Sequence, residues 1–306
     1  MYKVHCLNNI SPEGLALLTD QYELTDDIEQ ADAVLVRSAN MHEMAIPANL
    51  KVVARAGAGV NNIPLEARAE AGIPVLNTPG ANANAVKELV IAGMLLASRD
   101  IVGGIEWCRA NADDENIGKS AEKAKKQFAG TEITGKTLGV IGLGAIGKLV
   151  VAAAEALGMR TIGYDPFLDA ERAAAISPAM TFTDNLDDLY AASDFVTIHV
   201  PATADTKGMV NADAIAHMKD GAVFLNFARD TLVDDEAMAA GLASGKVAAY
   251  VTDFANPAVM AMEGAIVIPH LGASTAEAED NCAIMAVNQI MEYLENGTKV
   301  HCVNMK

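Results

Sequence analysis

The chain of 306 residues has little positive charge, few cysteines and no long apolar run. Lysine and arginine number 22 against 40 acidic residues, a net charge of −18 at pH 7. Such a polyanion repels nucleic acid and anionic membrane surfaces, so neither is expected as a partner. An anionic ligand must then be met by locally placed cations, which makes individual arginines informative. The four cysteines, at 6, 108, 282 and 302, form no C-x-x-C pair, which argues against a zinc ribbon and a dense disulfide framework. The dipeptides His5-Cys6 and His301-Cys302 read as strand ends, since adjacent strand residues face opposite ways. No carboxylate–histidine spacing points to a metal, and none is expected. The longest apolar run, 89–97, is far short of the ~18 residues of a membrane span. The N-terminus carries no apolar core with a cleavage site. The expectation is a soluble, cytoplasmic protein with reduced thiols.

What is present is ample apolar content, 51% against 20% charged, which excludes disorder and supports about two domains of roughly 150 residues each. Short β-type runs alternate with helical ones, the pattern of an α/β protein built on doubly wound parallel sheets. A first series predicts strands over 3–7, 33–37, 52–56 and 74–77, with helices over 12–18 and 64–71. A long helical stretch from 84 to about 99 follows, continued to about 127, with Gly103-Gly104 as its weak point. A second series predicts six strands, over 137–141, 161–164, 195–199, 223–227, 248–252 and 266–268. The last helix opens with the capping box Ser274-Thr275-Ala276-Glu277 and closes at Gly297. Its apolar residues Cys282, Ala286, Ile290 and Leu294 recur every four positions, so one face packs, and a return to the first domain is expected. The predicted division is a discontinuous domain of 1–92 with 277–306 and a dinucleotide-binding domain of 93–276, both flavodoxin- or Rossmann-like.

Gly142-Leu143-Gly144-Ala145-Ile146-Gly147 matches G-x-G-x-x-G between an apolar strand and a helix. The first glycine permits the tight turn, the second lets backbone approach a pyrophosphate, and the third allows close helix–strand packing. Asp165 follows the next strand, where a carboxylate accepts from the adenosine ribose hydroxyls and repels a 2′-phosphate, so NAD is favoured over NADP. The stretch from Gly130 to Thr137 also satisfies the P-loop string, but it leads into a strand instead of a helix and is read as a decoy. The turn beginning Gly57-Ala58-Gly59 lacks a third glycine and reads as backbone near a small ligand or as a plain turn.

Ligands of open α/β sheets bind at the carboxyl ends of the strands, and four consecutive ends there supply His199, Arg229, Asp253 and His270. Removing hydride from a secondary alcohol needs a base for the hydroxyl proton and a cation for a carboxylate or forming carbonyl. His270, in a loop leaving the last strand, and Arg229 suit these roles. His199 lies closer to its strand body and reads as structural. The plain alternative for Arg229 is an ion pair with Asp230 or Asp234.

Together these residues resemble the D-isomer-specific 2-hydroxyacid dehydrogenases over nearly the whole chain. The specific pieces are Val36-Arg37-Ser38-Ala39-Asn40, the run from Ala54 to Ile63, the run from Asn77 to Glu88, the fingerprint with Asp165, Leu225-Asn226-Phe227-Ala228-Arg229, and the run from Pro269 to Thr275. The resemblance is closest to members that oxidise 3-phospho-D-glycerate to 3-phosphohydroxypyruvate with NAD, the first step of serine synthesis, as homodimers or higher oligomers. It implies His270 as acid/base and Arg229 as the substrate-orienting cation. It implies Arg37, Ser38, Ala58, Gly59 and Asn82 on the substrate side, with Arg37 and Arg55 as cations for a phosphate. It implies Thr78, Ala145, Ile146, Asp165, Phe227 and Asp253, with the fingerprint glycines, on the cofactor side. Two departures stand out. Asn256 occupies the place of the family's glutamate partner of the histidine, leaving Asp253, Asp230 or Glu263 as substitutes, and Asp230 stands where glycine follows the arginine. Many relatives continue into a serine-binding regulatory domain; this chain ends at 306, and feedback through such a domain is not expected. The resemblance leaves two other readings open, a reductase of glyoxylate or hydroxypyruvate and an NAD(H)-sensing interaction protein.

Overall fold

Runs such as Ala33–Val36 and Phe195–Ile198 are apolar at nearly every position and buried throughout, which is the signature of parallel strands covered on both faces. A computed structural model describes residues 1–305 and divides into two units, Met1–Ala85 with the residues from Ala273 on, and Val86–Gly272. The divisions fall after Ala85 and Gly272, where the sequence pattern placed them after 92 and 276.

The first unit carries strands β1 (Tyr2–Cys6), β2 (Tyr22–Leu24), β3 (Ala33–Val36), β4 (Val52–Arg55) and β5 (Val75–Leu76), with helices α1 (Pro12–Leu15) and α2 (Leu65–Glu70). All pairings are parallel, in the order β2-β1-β3-β4-β5, a doubly wound sheet whose topology reverses between β1 and β3. Strand β2 escaped the sequence pattern because it is a three-residue edge strand with only Tyr22 buried.

Helix α3 (Ala83–Ser98) begins just before the division at Ala85 and runs on into the second unit, followed by α4 (Ile101–Ala110) and α5 (Ile117–Ala124). The expected weak point at Gly103-Gly104 lies inside α4; the chain breaks instead at Arg99-Asp100, because the Asp100 side chain accepts from Gly103 N and caps a new helix there. Next come β6 (Thr137–Ile141), α6 (Gly147–Ala156), β7 (Arg160–Tyr164), α7 (Ala170–Ile176), β8 (Thr181–Phe182), α8 (Leu186–Ala192) and β9 (Phe195–Ile198). The unit continues with α9 (Ala212–His217), β10 (Ala222–Asn226), α10 (Asp235–Ala243), β11 (Val247–Thr252), α11 (Pro257–Met260) and β12 (Ala265–Val267). The sheet has seven parallel strands in the order β12-β11-β10-β9-β6-β7-β8, one more than expected because the two-residue edge strand β8 has no readable periodicity. Its topology reverses between β6 and β9. One apolar cluster lies on each face, one centred on Val140, Leu225 and Val251 and the other on Ile141, Phe224 and Tyr250.

The chain closes with α12 (Ala276–Asn296), which belongs to the first unit and buries Cys282, Ala283, Ala286, Val287 and Ile290 in the core with Val4, Leu35 and Ala54. Its cap is Thr275, accepting from Ala278 N, one residue beyond the expected Ser274, and Gly297 ends it in left-handed geometry. The C-terminal segment then runs antiparallel to β5 through the Leu76–Cys302 bridge.

Candidate active site

In the second unit the fingerprint loop leaves β6 at the point where the topology reverses, and His199 N donates to Ile141 O at 2.7 Å beside it. Gly142 has φ +90, and a Cβ there would sit 2.7 Å from the His199 carbonyl oxygen. A Cβ on Gly147 would lie 1.9 Å from Gly142 O, so helix and turn touch only because both residues are glycine. Gly144, by contrast, faces open space. Ile146, the residue before α6, offers that helix no side-chain cap, and an uncapped helix start of this kind suits an anion. Asp165 accepts from Leu143 N at 2.9 Å through one oxygen and from Phe167 N at 3.0 Å through the other, fixing its carboxylate at the end of β7 against the loop. An open second glycine, an uncapped helix start and a tethered carboxylate fit a dinucleotide. Ala145 is exposed at the loop tip. The ring of Phe227 is buried in the core against Gly93.

Three of the expected groups converge at neighbouring strand ends. Asp253, directly after β11, is 1% exposed. Its Oδ2 accepts from Gly272 N at 2.8 Å, while Oδ1 is buried without a hydrogen-bond partner. Burial pushes its pKa up, opposed by Gly272 N and by the charges of His270 and Arg229. His270 is exposed, its ring 5.0 Å from that of Phe254. Arg229 follows β10, is half-buried and makes no salt bridge to Asp230 or Asp234 among the described residues. Asn256 is turned elsewhere: Oδ1 accepts from Val259 N to cap α11, and Nδ2 donates to Asp235 at 3.0 Å. Of the substitute acids, Asp230 accepts from Thr231 N, Glu263 is exposed, and Asp253 is buried with the charges of His270 and Arg229 acting on it. His199 is different in kind. Nε2 lies 3.0 Å from Thr197 Oγ1, Nδ1 is buried without a partner, and burial pushes its pKa down to about 3, which keeps it neutral.

The first unit has its own recess at the reversal between β1 and β3, lined by Arg37, Arg55, Gly57, Asn82, Glu279 and Cys282 among others. Asn8, which the sequence pattern did not single out, accepts through Oδ1 from the backbone N–H of Arg37, Ser38 and Ala39 and so shapes the loop that presents Arg37. Arg55 Nε donates to Arg37 O at 3.1 Å, and a Cβ on Gly57 would overlap the Arg55 guanidinium. Glycine is favoured at 57 by its φ of +146. Ser38, Ala58 and Gly59 lie on the same loops outside the lining of this recess, and Thr78 is buried with its N–H on Gly57 O. Burial pushes the Cys282 thiol up.

Residues 91–272 match the NAD-binding domain of the D-isomer specific 2-hydroxyacid dehydrogenases. The chain belongs to this family. It is 38% identical to D-3-phosphoglycerate dehydrogenase of Methanocaldococcus jannaschii over 99% of its own length and 57% of that protein's. It is 37% identical to hydroxypyruvate reductase of Thermotoga maritima over 96% of its length and 98% of that protein's. Among solved structures, NAD+-bound 3-phosphoglycerate dehydrogenase of Entamoeba histolytica superposes with a TM-score of 0.79 at 27% identity, covering 99% of this chain and 98% of that one. The chain spans about half the length of most of the curated D-3-phosphoglycerate dehydrogenases it matches. The matched family model is that of an NAD-binding domain, and the carboxylate of Asp165 stands against the fingerprint loop within it.

Proposed function

We propose that the chain oxidises 3-phospho-D-glycerate to 3-phosphohydroxypyruvate with NAD. The observation that carries this reading is the placement of Arg229, Asp253 and His270 just after three adjacent strands of the NAD-binding domain. NAD supplies the hydride acceptor when bound. In the substrate, the C2–H bond gives up its electron pair with the hydrogen as hydride, the O–H proton passes to the His270 imidazole, and the oxygen lone pair closes the carbonyl. Arg229 holds the neighbouring carboxylate and favours the growing charge on oxygen. Asp253 orients His270 and favours the imidazolium formed as the proton arrives, the part that Asn256 is too occupied to play. Its buried Oδ1 is also an acceptor in want of a donor, which suits the amide of a nicotinamide. The cations Arg37 and Arg55 of the first unit support a phosphorylated substrate. Cytoplasmic residence and a homodimer or larger assembly belong to the same proposal; light scattering on the purified protein tests the assembly.

The second reading, reduction of hydroxypyruvate or glyoxylate, is favoured by the likeness to the T. maritima reductase along nearly the whole of both chains. Steady-state assay separates them. NADH formation from 3-phosphoglycerate at alkaline pH is the expected result; turnover of hydroxypyruvate or glyoxylate alone keeps the class and moves the substrate. Tight NADH binding with no turnover of any 2-hydroxy or 2-oxo acid supports an NAD(H) sensor instead.

A further inference from the structure

The recess of the first unit contains a carboxylate that works against its cations. Arg37 Nη2 lies 2.7 Å from Glu279 Oε1, and both side chains remain partly exposed, at 35% and 43%. Glu279 stands in the first turn of α12, but that helix start does not depend on it. Thr275 caps the helix, and Glu277 supplies a second acid to the same turn. Asp280 is engaged outside the pair, accepting from Ser11 Oγ at 2.5 Å. Two arginines and one carboxylate therefore line the space, a local charge of one positive unit instead of two. A phosphate monoester carries about −1.5 to −2 charges at neutral pH. It must share Arg37 with Glu279 or displace it, whereas a substrate without a phosphate meets much less repulsion.

We infer that Glu279 is a positioning residue that sets the charge preference of this recess, holding Arg37 in place while weakening its grip on a dianionic group. Without the carboxylate the recess binds phosphate more tightly, and the preference for a phosphorylated 2-hydroxy acid over its unphosphorylated counterpart rises. The kinetic half rests on the dehydrogenase reading above; the binding half does not.

The test uses the full-length protein and its Glu279→Gln variant, with Glu277→Gln as control for the charge of the helix start. Isothermal titration with inorganic phosphate should give about five-fold tighter binding for Glu279→Gln, the scale of one partly exposed charge pair. With NAD, the ratio of kcat/KM for 3-phosphoglycerate over glycerate should rise by a similar factor, carried by KM. Glu279→Asp should return both quantities toward the parent, and Glu277→Gln should move neither. Phosphate binding that is unchanged or weaker in Glu279→Gln, or an equal gain in Glu277→Gln, overturns the inference. A parent protein that turns over no 2-hydroxy acid defeats the dehydrogenase reading, and the phosphate titration still decides the role of Glu279.

Discussion

Two histidines at the ends of strands of one sheet sit in different surroundings, His270 exposed and His199 with its ring nitrogen Nδ1 buried. His199 is locked between backbone and Thr197, with its pKa pushed from the usual 6.5 down to about 3. A depressed histidine pKa adds stability that is complete above the unfolded value and is lost as pH falls from 6.5 toward 3, at about 1.4 kcal/mol per pH unit while one proton is taken up. His199→Gln should flatten the acid limb of stability by about one proton between these limits, measured by denaturant unfolding at stepped pH. Asp253 has the reverse sign. Burial raises its pKa, so the folded state favours the neutral acid and stability falls as pH climbs past the unfolded value near 4. Asp253→Asn should therefore raise the melting temperature at pH 7, with the gain shrinking as pH drops through about 4, while turnover falls. His270→Ala should lower kcat by roughly 10²–10⁴ with little change in NADH affinity, the mark of an acid/base group. Arg229 and His270 were legible because each lies in a short polar loop leaving an apolar strand. The engagement of Asn256 was not legible: it occupies the place where a partner of His270 is expected, yet its hydrogen bonds go to α11 and Asp235.

At the scale of elements, the fingerprint separates glycines required by the fold from one left open to a ligand. Gly147→Ala drives a Cβ into the Gly142 carbonyl, and a cost of about 3 kcal/mol or more should lower the melting temperature by roughly 6–12 °C for a unit of this size. Gly144→Ala meets nothing, so the melt should shift little while NADH binding weakens at least ten-fold, by fluorescence titration. The central strands and the long helices were readable because burial on two faces, or on one stripe, imposes strong apolar patterns. The edge strands β2 and β8 and the break before α4 were not. Edge strands bury too little to need a pattern, and the break depends on one aspartate outcompeting two helix-weakening glycines.

For the molecule as a whole, the two units have separate cores, and only the second carries the fingerprint. NADH at a hundred times its dissociation constant should add about 2.7 kcal/mol to the stability of that unit, read as an upward shift of its calorimetric transition. A transition indifferent to both NADH and NAD+ would remove the cofactor from the account. The acidic surface attracts neither nucleic acid nor anionic ligands at long range, so selectivity for an anion rests on the few arginines that the fold concentrates. The sequence by itself determined the parallel α/β class, the NAD fingerprint and the loops bearing Arg229 and His270, because backbone turns and two-sided burial restrict which residues are tolerated locally. Only the tertiary structure decided that Asp253 is buried beside Gly272 N, that His199 has its Nδ1 buried and stays neutral, and that Glu279 pairs with Arg37. Each of these depends on distances between residues far apart in the chain, and local periodicity carries no record of such distances.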